Sequence, residues 1–344
     1  MTIKNNVIYI SILLFTLFSC NKAEDNIPKN VELLNPSSIT EVSFTANWNV
    51  EKNNLKSIVL LLAYDNSFDE IIRTININDL NTSSFKVDGL YGATKYLHKL
   101  KIEYNDGTVL NSAIKTAKTT YFLESVNYNT SDNITIAAKL AFLSSNQSPK
   151  PGLIFMHEMG AFVNNWNNSD VVEGLIAKGY VCLIFSFRGH GNSSPVDDMN
   201  SLVEDKSLIA KDLVASLDYL KSREEVDPQN IGLLGGSLGA IMAVAGNGFE
   251  EVKTSVSISG VRDGIFQIFP DLIPNSVLYI VGENDIHTSP SVNFPLEAQA
   301  MFNISQDPKK IIIVPGSSAH GTNILISDEI NNEVINWVDQ IFIN

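Results

Sequence analysis

The chain has 344 residues, 44% of them hydrophobic and 18% charged. That composition excludes a disordered protein, and the length suits two domains. A formal net charge of −14 argues against nucleic acid as the partner, because phosphate binding needs a basic surface. Two cysteines, Cys20 and Cys182, exclude a disulfide-rich scaffold and a cysteine-based zinc cluster. The charge is uneven. Residues 31–120 carry 9 basic and 10 acidic side chains, whereas residues 121–344 carry 12 and 26.

Residues 1–19 read as a signal peptide. Lys4 is followed by a nearly unbroken apolar run at 8–18, too short for a membrane span. The run closes on Leu17-Phe18-Ser19-Cys20, which resembles the bacterial lipobox. The resemblance implies cleavage before Cys20, lipidation of its thiol, and membrane anchoring in the bacterial envelope, on the periplasmic or the exterior side of the outer membrane. Residues 20–30 then form a lipidated tether. Cys182 stands in the apolar run 180–187 and is expected to be an inert core residue.

Between 31 and 120, β-rich runs at 39–48, 57–64, 70–77, 94–104 and 109–119 alternate with turn residues, a spacing that predicts an all-β sandwich. Val42, Phe44, Ala46 and Trp48 alternate as a strand with one buried face does. Leu90 followed by Thr94-Lys95-Tyr96 is similar to a tyrosine corner, and Asn105-Asp106-Gly107 is a hairpin signal. Together these resemble a fibronectin type III domain, an immunoglobulin-like sandwich. The resemblance implies a spacer beside a secreted enzyme, with carbohydrate binding as the alternative. His98 falls on the inward parity of its strand.

From 121 the period changes. A hairpin is expected at 121–143 around Thr130-Ser131-Asp132-Asn133. Short uninterrupted apolar runs follow at 152–156, 180–187, 230–235, 252–259, 276–281 and 310–314, as strands buried on both faces read. Helical stretches separate them at 168–178, 203–222, 238–247, 294–303 and 327–342. This alternation predicts a mostly parallel sheet wrapped by helices, with reactive groups at the carboxyl ends of the strands.

Those ends carry the chemistry. Gly235-Gly236-Ser237-Leu238-Gly239 fits G-x-S-x-G between a predicted strand and a predicted helix, the context a nucleophile elbow needs. Gly235 and Gly239 flank a turn too tight for bulky Cβ groups. No Lys follows the glycines and no second Gly is placed for a phosphate-binding loop. A nucleophilic Ser needs a base, and the base an orienting acid. Asp285 ends the strand 276–281 in Gly282-Glu283-Asn284-Asp285. His320 lies in the loop after 310–314. Asp271 precedes its strand, on the wrong edge of the sheet. Glu283 is placed to miss the His. His287, close to Asp285, is a rival base or a pocket-rim residue.

Residues 121–344 thereby resemble the α/β-hydrolase superfamily, in its dienelactone-hydrolase or esterase-like form. The resemblance implies a three-layer α/β fold with a Ser237-His320-Asp285 triad. It assigns the oxyanion donors to the backbone N–H groups of Met159 and Leu238, and a structural role to the turn Arg188-Gly189-His190-Gly191-Asn192-Ser193, with Phe187 where many relatives have Asp. Glu158 stands where relatives often have Gly. His157, Phe162 and Trp166 are candidate pocket residues, with Trp166 equally placed to be core. His157-Glu158 is not a zinc-protease motif, because Ala161 replaces the second His. No residue spacing suggests a metal site, and no cofactor is expected.

The gap at 260–275 is too short for a cap domain, which predicts an open mouth. The acidic C-terminal part favours neutral over anionic substrates within a screening length of about 8 Å. The expected activity is hydrolysis of small or glycan-linked esters through an acyl-enzyme. The alternatives are a serine peptidase of the prolyl-oligopeptidase or aminopeptidase kind, and a non-catalytic cell-surface binding protein.

Overall fold

The computed structural model describes residues 29–160, 166, 169–288 and 291–343. The expected signal peptide, Cys20 and Phe162 lie outside these residues. Among the described residues, no helix is long and apolar enough to cross a membrane.

Alternating side chains build the N-terminal sheets. The strands are β1 (Val31–Leu33), β2 (Ser43–Val50), β3 (Leu55–Ala63), β4 (Arg73–Ile77), β5 (Ser84–Asp88), β6 (Lys95–Tyr104), β7 (Val109–Asn111) and β8 (Lys115–Lys118). β1, β2 and β5 form one antiparallel sheet, and β4, β3 and β6 form a second, with β7 and β8 both pairing to β6. Phe44, Ala46 and Trp48 of the first sheet share a core with Ile58, Leu60, Ile102 and Tyr104 of the second. Strand β5 escapes the sequence pattern: in Ser-Phe-Lys-Val-Asp two apolar residues stand between polar ones, and its stability comes from pairing with β2. The Tyr91 N–H donates to the Tyr96 hydroxyl at 2.9 Å, tying the loop before β6 to that strand. Gly107 takes a φ of +85° in the turn between β6 and β7, which explains the glycine there.

The C-terminal sheet contains β9 (Phe122–Asn129), β10 (Thr135–Phe142), β11 (Lys150–Met156), β12 (Val181–Phe185), β13 (Val226–Gly236), β14 (Val252–Ile258) and β15 (Asn275–Gly282). A hairpin of β16 (Ile286–Thr288) and β17 (Ser291–Asn293) stands apart, and β18 (Gln306–Val314) completes the sheet. The strand order is β18-β15-β14-β13-β11-β12-β10-β9. The six strands from β18 to β12 are parallel, and β10 and β9 add an antiparallel edge. The helices are α1 (Asp170–Ala177), α2 (Ser201–Glu204), α3 (Lys206–Lys221), α4 (Leu238–Ala245), α5 (Arg262–Phe266), α6 (Phe294–Ile304) and α7 (Asp328–Ile343). Residues of α1 and α7 pack on one face of the sheet. Residues of α3, α4 and α6 pack on the other. The long stretch expected at 203–222 is broken at Asp205, whose carboxylate caps α3 by accepting the Ser207 N–H. The segment 260–275 holds only the short α5.

β12 and β13 lie on opposite sides of β11. The strand order therefore reverses at β11, and the carboxyl ends of β11 and β13 are the switch point at which such a sheet places its crevice. The two parts of the chain touch directly. Glu41 accepts the N–H groups of Ser144 and Ser145 at 2.9 Å, Lys118 pairs with Glu173, and Ala93 joins the core around Leu143.

Candidate active site

Ser237 sits at the crevice, between the end of β13 and the start of α4. Its backbone is strained, with φ +49° and ψ −108°, a conformation that non-glycine residues rarely hold without function. Neighbours enforce it. A side chain on Gly235 would strike the backbone of Gly239, and one on Gly239 would strike the Met156 carbonyl. The Ser237 N–H is tied to the Ile258 carbonyl at 2.8 Å, which docks the turn on β14. The strain lifts one hydroxyl to a helix N-terminus, where orphan N–H groups favour developing negative charge.

Asp285 follows β15 and is 1% exposed. Both of its oxygens face His320 Nδ1, at 3.1 and 3.0 Å. An Nδ1–H held by a carboxylate leaves Nε2 as the acceptor, the tautomer a general base needs. Glu283 points elsewhere and accepts the Gly316 N–H at 2.7 Å. Asp271 is exposed ahead of β15. The His320 loop returns to the elbow. A Cβ on Gly236 would lie 3.0 Å from the Thr322 nitrogen, so the residue before Ser237 abuts the residue two beyond His320. The Gly321 N–H donates to Ser259 Oγ at 3.1 Å, which fixes the loop on the end of β14.

Glu158 is the residue that the sequence placed without a role. Its Oε1 accepts the Thr322 N–H, and its side chain lies against Gly236 and Gly321, where an added Cβ would have to displace it. One carboxylate thus ties the end of β11 to the His320 loop, beside the elbow. The available signal was an acid directly after a buried strand, where ionised groups are uncommon without a partner.

Leu238 is the first residue of α4, so its N–H has no intrahelical partner. Met159 follows Glu158 at the facing end of β11, and the next residue, Gly160, donates its N–H to His190 Nε2 at 3.0 Å. His190 Nδ1 in turn meets the Arg188 carbonyl at 3.0 Å. The Arg188 guanidinium spans Asp132 and Asp212 and holds the β9–β10 turn to α3. His157 is fully buried: Nε2 accepts the Phe187 N–H at 3.0 Å and Nδ1 meets the Glu158 carbonyl at 2.6 Å. Burial lowers its pKa to about 4. Trp166 is also fully buried, donating to the Met156 carbonyl at 2.9 Å and packing on Phe155. Both residues, expected at a pocket, are interior posts that hold the end of β11 instead. Cys182 is buried too, and burial pushes its thiol pKa up, as an inert thiol requires.

His287 and Phe294 complete the surroundings of His320. Their rings lie 4.5 and 4.4 Å from the His320 ring, and 4.8 Å from each other. The β16–β17 hairpin that presents His287 was not legible from its six residues. The donor atoms of Asp285, His287 and His320 all lie within 4.8 Å of one another, a cluster that no residue spacing suggested.

A profile of the Dienelactone hydrolase family matches residues 137–316. Among proteins, YfhR of Escherichia coli (strain K12) is 22% identical over 212 residues, which cover 56% of this chain and 72% of YfhR. Among solved structures, the α/β hydrolase GrgF from Penicillium sp. sh18 superposes with a TM-score of 0.51 at 16% identity, over 65% of this chain and all of GrgF. The dienelactone hydrolase-like promiscuous phosphotriesterase P91 from metagenomic libraries gives 0.50 at 15% identity, over 64% of this chain and 99% of P91. These two likenesses establish the α/β-hydrolase fold of the C-terminal part. Since the family profile spans more than half of the sequence and ends within the loop that carries His320, four residues before it, the chain belongs to the dienelactone hydrolase family.

Proposed function

We propose that the protein is a serine hydrolase of carboxylic esters. The single observation that carries this reading is the pairing of His320 Nδ1 with both Asp285 oxygens, on a loop packed against the strained Ser237 elbow. His320 Nε2 takes the Ser237 proton as Oγ attacks the ester carbonyl. Asp285 holds the tautomer and stabilises the imidazolium. The N–H groups of Met159 and Leu238 receive the oxyanion, and loss of one side-chain oxyanion donor costs about 2.7–4 kcal/mol in a serine protease. The alcohol leaves with the proton from His320. Water, activated by the same nitrogen, then releases the acid.

The N-terminal part is read here as a fibronectin type III-like, immunoglobulin-like domain at 31–120, supported by its two sheets on one core and the Tyr96 hydroxyl bond. The catalytic domain is 121–344, after a signal peptide at 1–19 and a tether at 20–30. Cys20 is proposed as the lipid attachment point, on the lipobox residues alone. Retention of the chain in envelope membranes, lost in Cys20→Ala, tests that part.

Hydrolysis of p-nitrophenyl acetate, butyrate and octanoate, beside aminoacyl-anilides, tests the activity. Ester turnover is expected to fall by about 10⁶-fold in Ser237→Ala, the loss seen for a protease nucleophile. A fluorophosphonate probe is expected to label Ser237. Cleavage of anilides but not esters would move the reading to a peptidase. Neither activity nor labelling would leave a binding protein.

A further inference from the structure

Asp285 and His320 have a role in the proposed mechanism, and His287 has none. His287 nevertheless stands beside them, 46% exposed, with its ring held edge-on against Phe294 and close to His320. Its Nε2 lies 3.8 Å from Asp285 Oδ1. That is too long for a hydrogen bond. It is close to the spacing of two donors sharing one ion, since bonds of about 2.0–2.1 Å to a tetrahedral zinc put donor atoms about 3.3–3.4 Å apart. The other pair, His320 Nδ1 and Asp285, is already at 3.0 Å. All three donor atoms lie within 4.8 Å of one another, so side-chain rotation has to close the remaining gap around an ion.

We propose that Asp285, His287 and His320 form an inhibitory site for zinc, with two imidazole nitrogens, one carboxylate oxygen and a fourth position open to solvent. Two nitrogens and one oxygen are the donor set that suits zinc, and three protein ligands with an open position are a stable arrangement for it. The side chain of His320 is 22% exposed and that of His287 46%, so the ion has access. The C-terminal part carries 26 acidic against 12 basic side chains, a field that concentrates cations. Among the described residues, this is the one group of three metal-ligating side chains within reach of a common ion.

The inhibition rests on the serine hydrolase reading, whereas the binding does not. A zinc ion on Nδ1 occupies the lone pair of that nitrogen. The proton moves through solvent from Nδ1 to Nε2, with no net loss from the ring. Nε2 then carries a hydrogen and cannot accept one from Ser237. Asp285 changes from hydrogen-bond acceptor to ligand. The site holds the wrong tautomer until the ion leaves.

The test is calorimetric titration of the full chain with zinc chloride, beside p-nitrophenyl acetate turnover at the same zinc concentrations. Zinc is expected to bind and to inhibit over one concentration range, with recovery on adding a chelator. Magnesium, which demands six oxygen ligands, is expected to do neither. His287→Gln is expected to weaken zinc binding by at least about tenfold, as loss of a metal-site residue does. Its inhibition, read against its own zinc-free rate, shifts by the same factor. His287→Glu restores an oxygen ligand and is expected to recover binding. Ser237→Ala is expected to bind zinc as the unaltered chain does. Equal zinc affinity in the unaltered chain and His287→Gln would overturn the proposal, as would ester turnover that zinc leaves untouched. Zinc binding through His287 in a chain without ester turnover would uphold the site and sink the hydrolase reading instead.

Discussion

His98 in the N-terminal sheets and His157 in the C-terminal sheet are both fully buried, and burial lowers the pKa of each to about 4. Their surroundings differ. His98 packs on Phe44 at 4.8 Å, and neither ring nitrogen has a hydrogen-bond partner. Both nitrogens of His157 are bonded, to the Glu158 carbonyl and the Phe187 N–H, and the residue fixes the strand end beside Ser237. The first histidine is a space-filling ring in an apolar core. The second is part of a polar scaffold at the end of β11. A fold can tolerate an unpartnered ring where nothing depends on its orientation. At the ends of β11 and β13, Glu158 accepts the Thr322 N–H, His320 Nδ1 is paired with Asp285, and the backbone of Ser237 is strained.

The largest effect that would sharpen this contrast comes from the orienting acid. Asp285→Asn is expected to lower ester turnover by about 10⁴-fold, the loss that follows from the wrong histidine tautomer. His98→Leu is expected to leave turnover within about twofold. A large loss in His98→Leu would break the division of labour between the two parts.

The next effect is on stability in acid. An unfolded histidine titrates near 6.5, and folded His98 near 4 because burial, assisted by Lys115, disfavours its charge. The unfolded chain therefore binds the proton first. The stability contributed by neutral His98 is complete above pH 6.5 and is lost as pH falls toward 4. The size is on the order of 3 kcal/mol. His157 gives the C-terminal part the same sign. Amide exchange resolved to β3 and β6 is expected to show the loss, and His98→Leu to flatten it there while the exchange of β11 keeps its acid dependence. At neutral pH that substitution costs little, because it leaves no polar group unpaired.

A smaller effect concerns the junction. Glu41→Ala removes the acceptor of two N–H groups across it, and is expected to cost about 1–2 kcal/mol in chemical unfolding. Lys118→Ala removes the partner of the buried Glu173 carboxylate, and is expected to cost a comparable amount, about 1–3 kcal/mol. Turnover unchanged in both variants would support a supporting role for the N-terminal part. Turnover lowered by Glu41→Ala would show that the junction reaches the crevice.

Much of this arrangement was legible in residue order. Gly235, Gly236 and Gly239 around Ser237 allow one turn, and the parallel strands fall where apolar runs placed them, because a strand buried on both faces has few polar positions; β18, read the same way, is instead a partly exposed edge strand. Ser84–Asp88 and the Ile286–Thr288 and Ser291–Asn293 hairpin were not legible, since short strands take their stability from partners distant in sequence. Trp166 illustrates the same limit: an aromatic residue in a polar loop reads equally as pocket wall or core, and only its packing on Phe155 decides for core.

The sequence by itself determined the period of each part, the elbow, and the order of Ser237, Asp285 and His320, because these depend on local sterics and on which residue types can move a proton. Tertiary structure alone decided that Glu158 ties the end of β11 to the His320 loop, that Glu283 finds its partner in the Gly316 N–H, and that His287 stands against His320. Those residues are separated by tens to more than a hundred positions along the chain. Their meeting is set by strand order and loop closure, which no local pattern records.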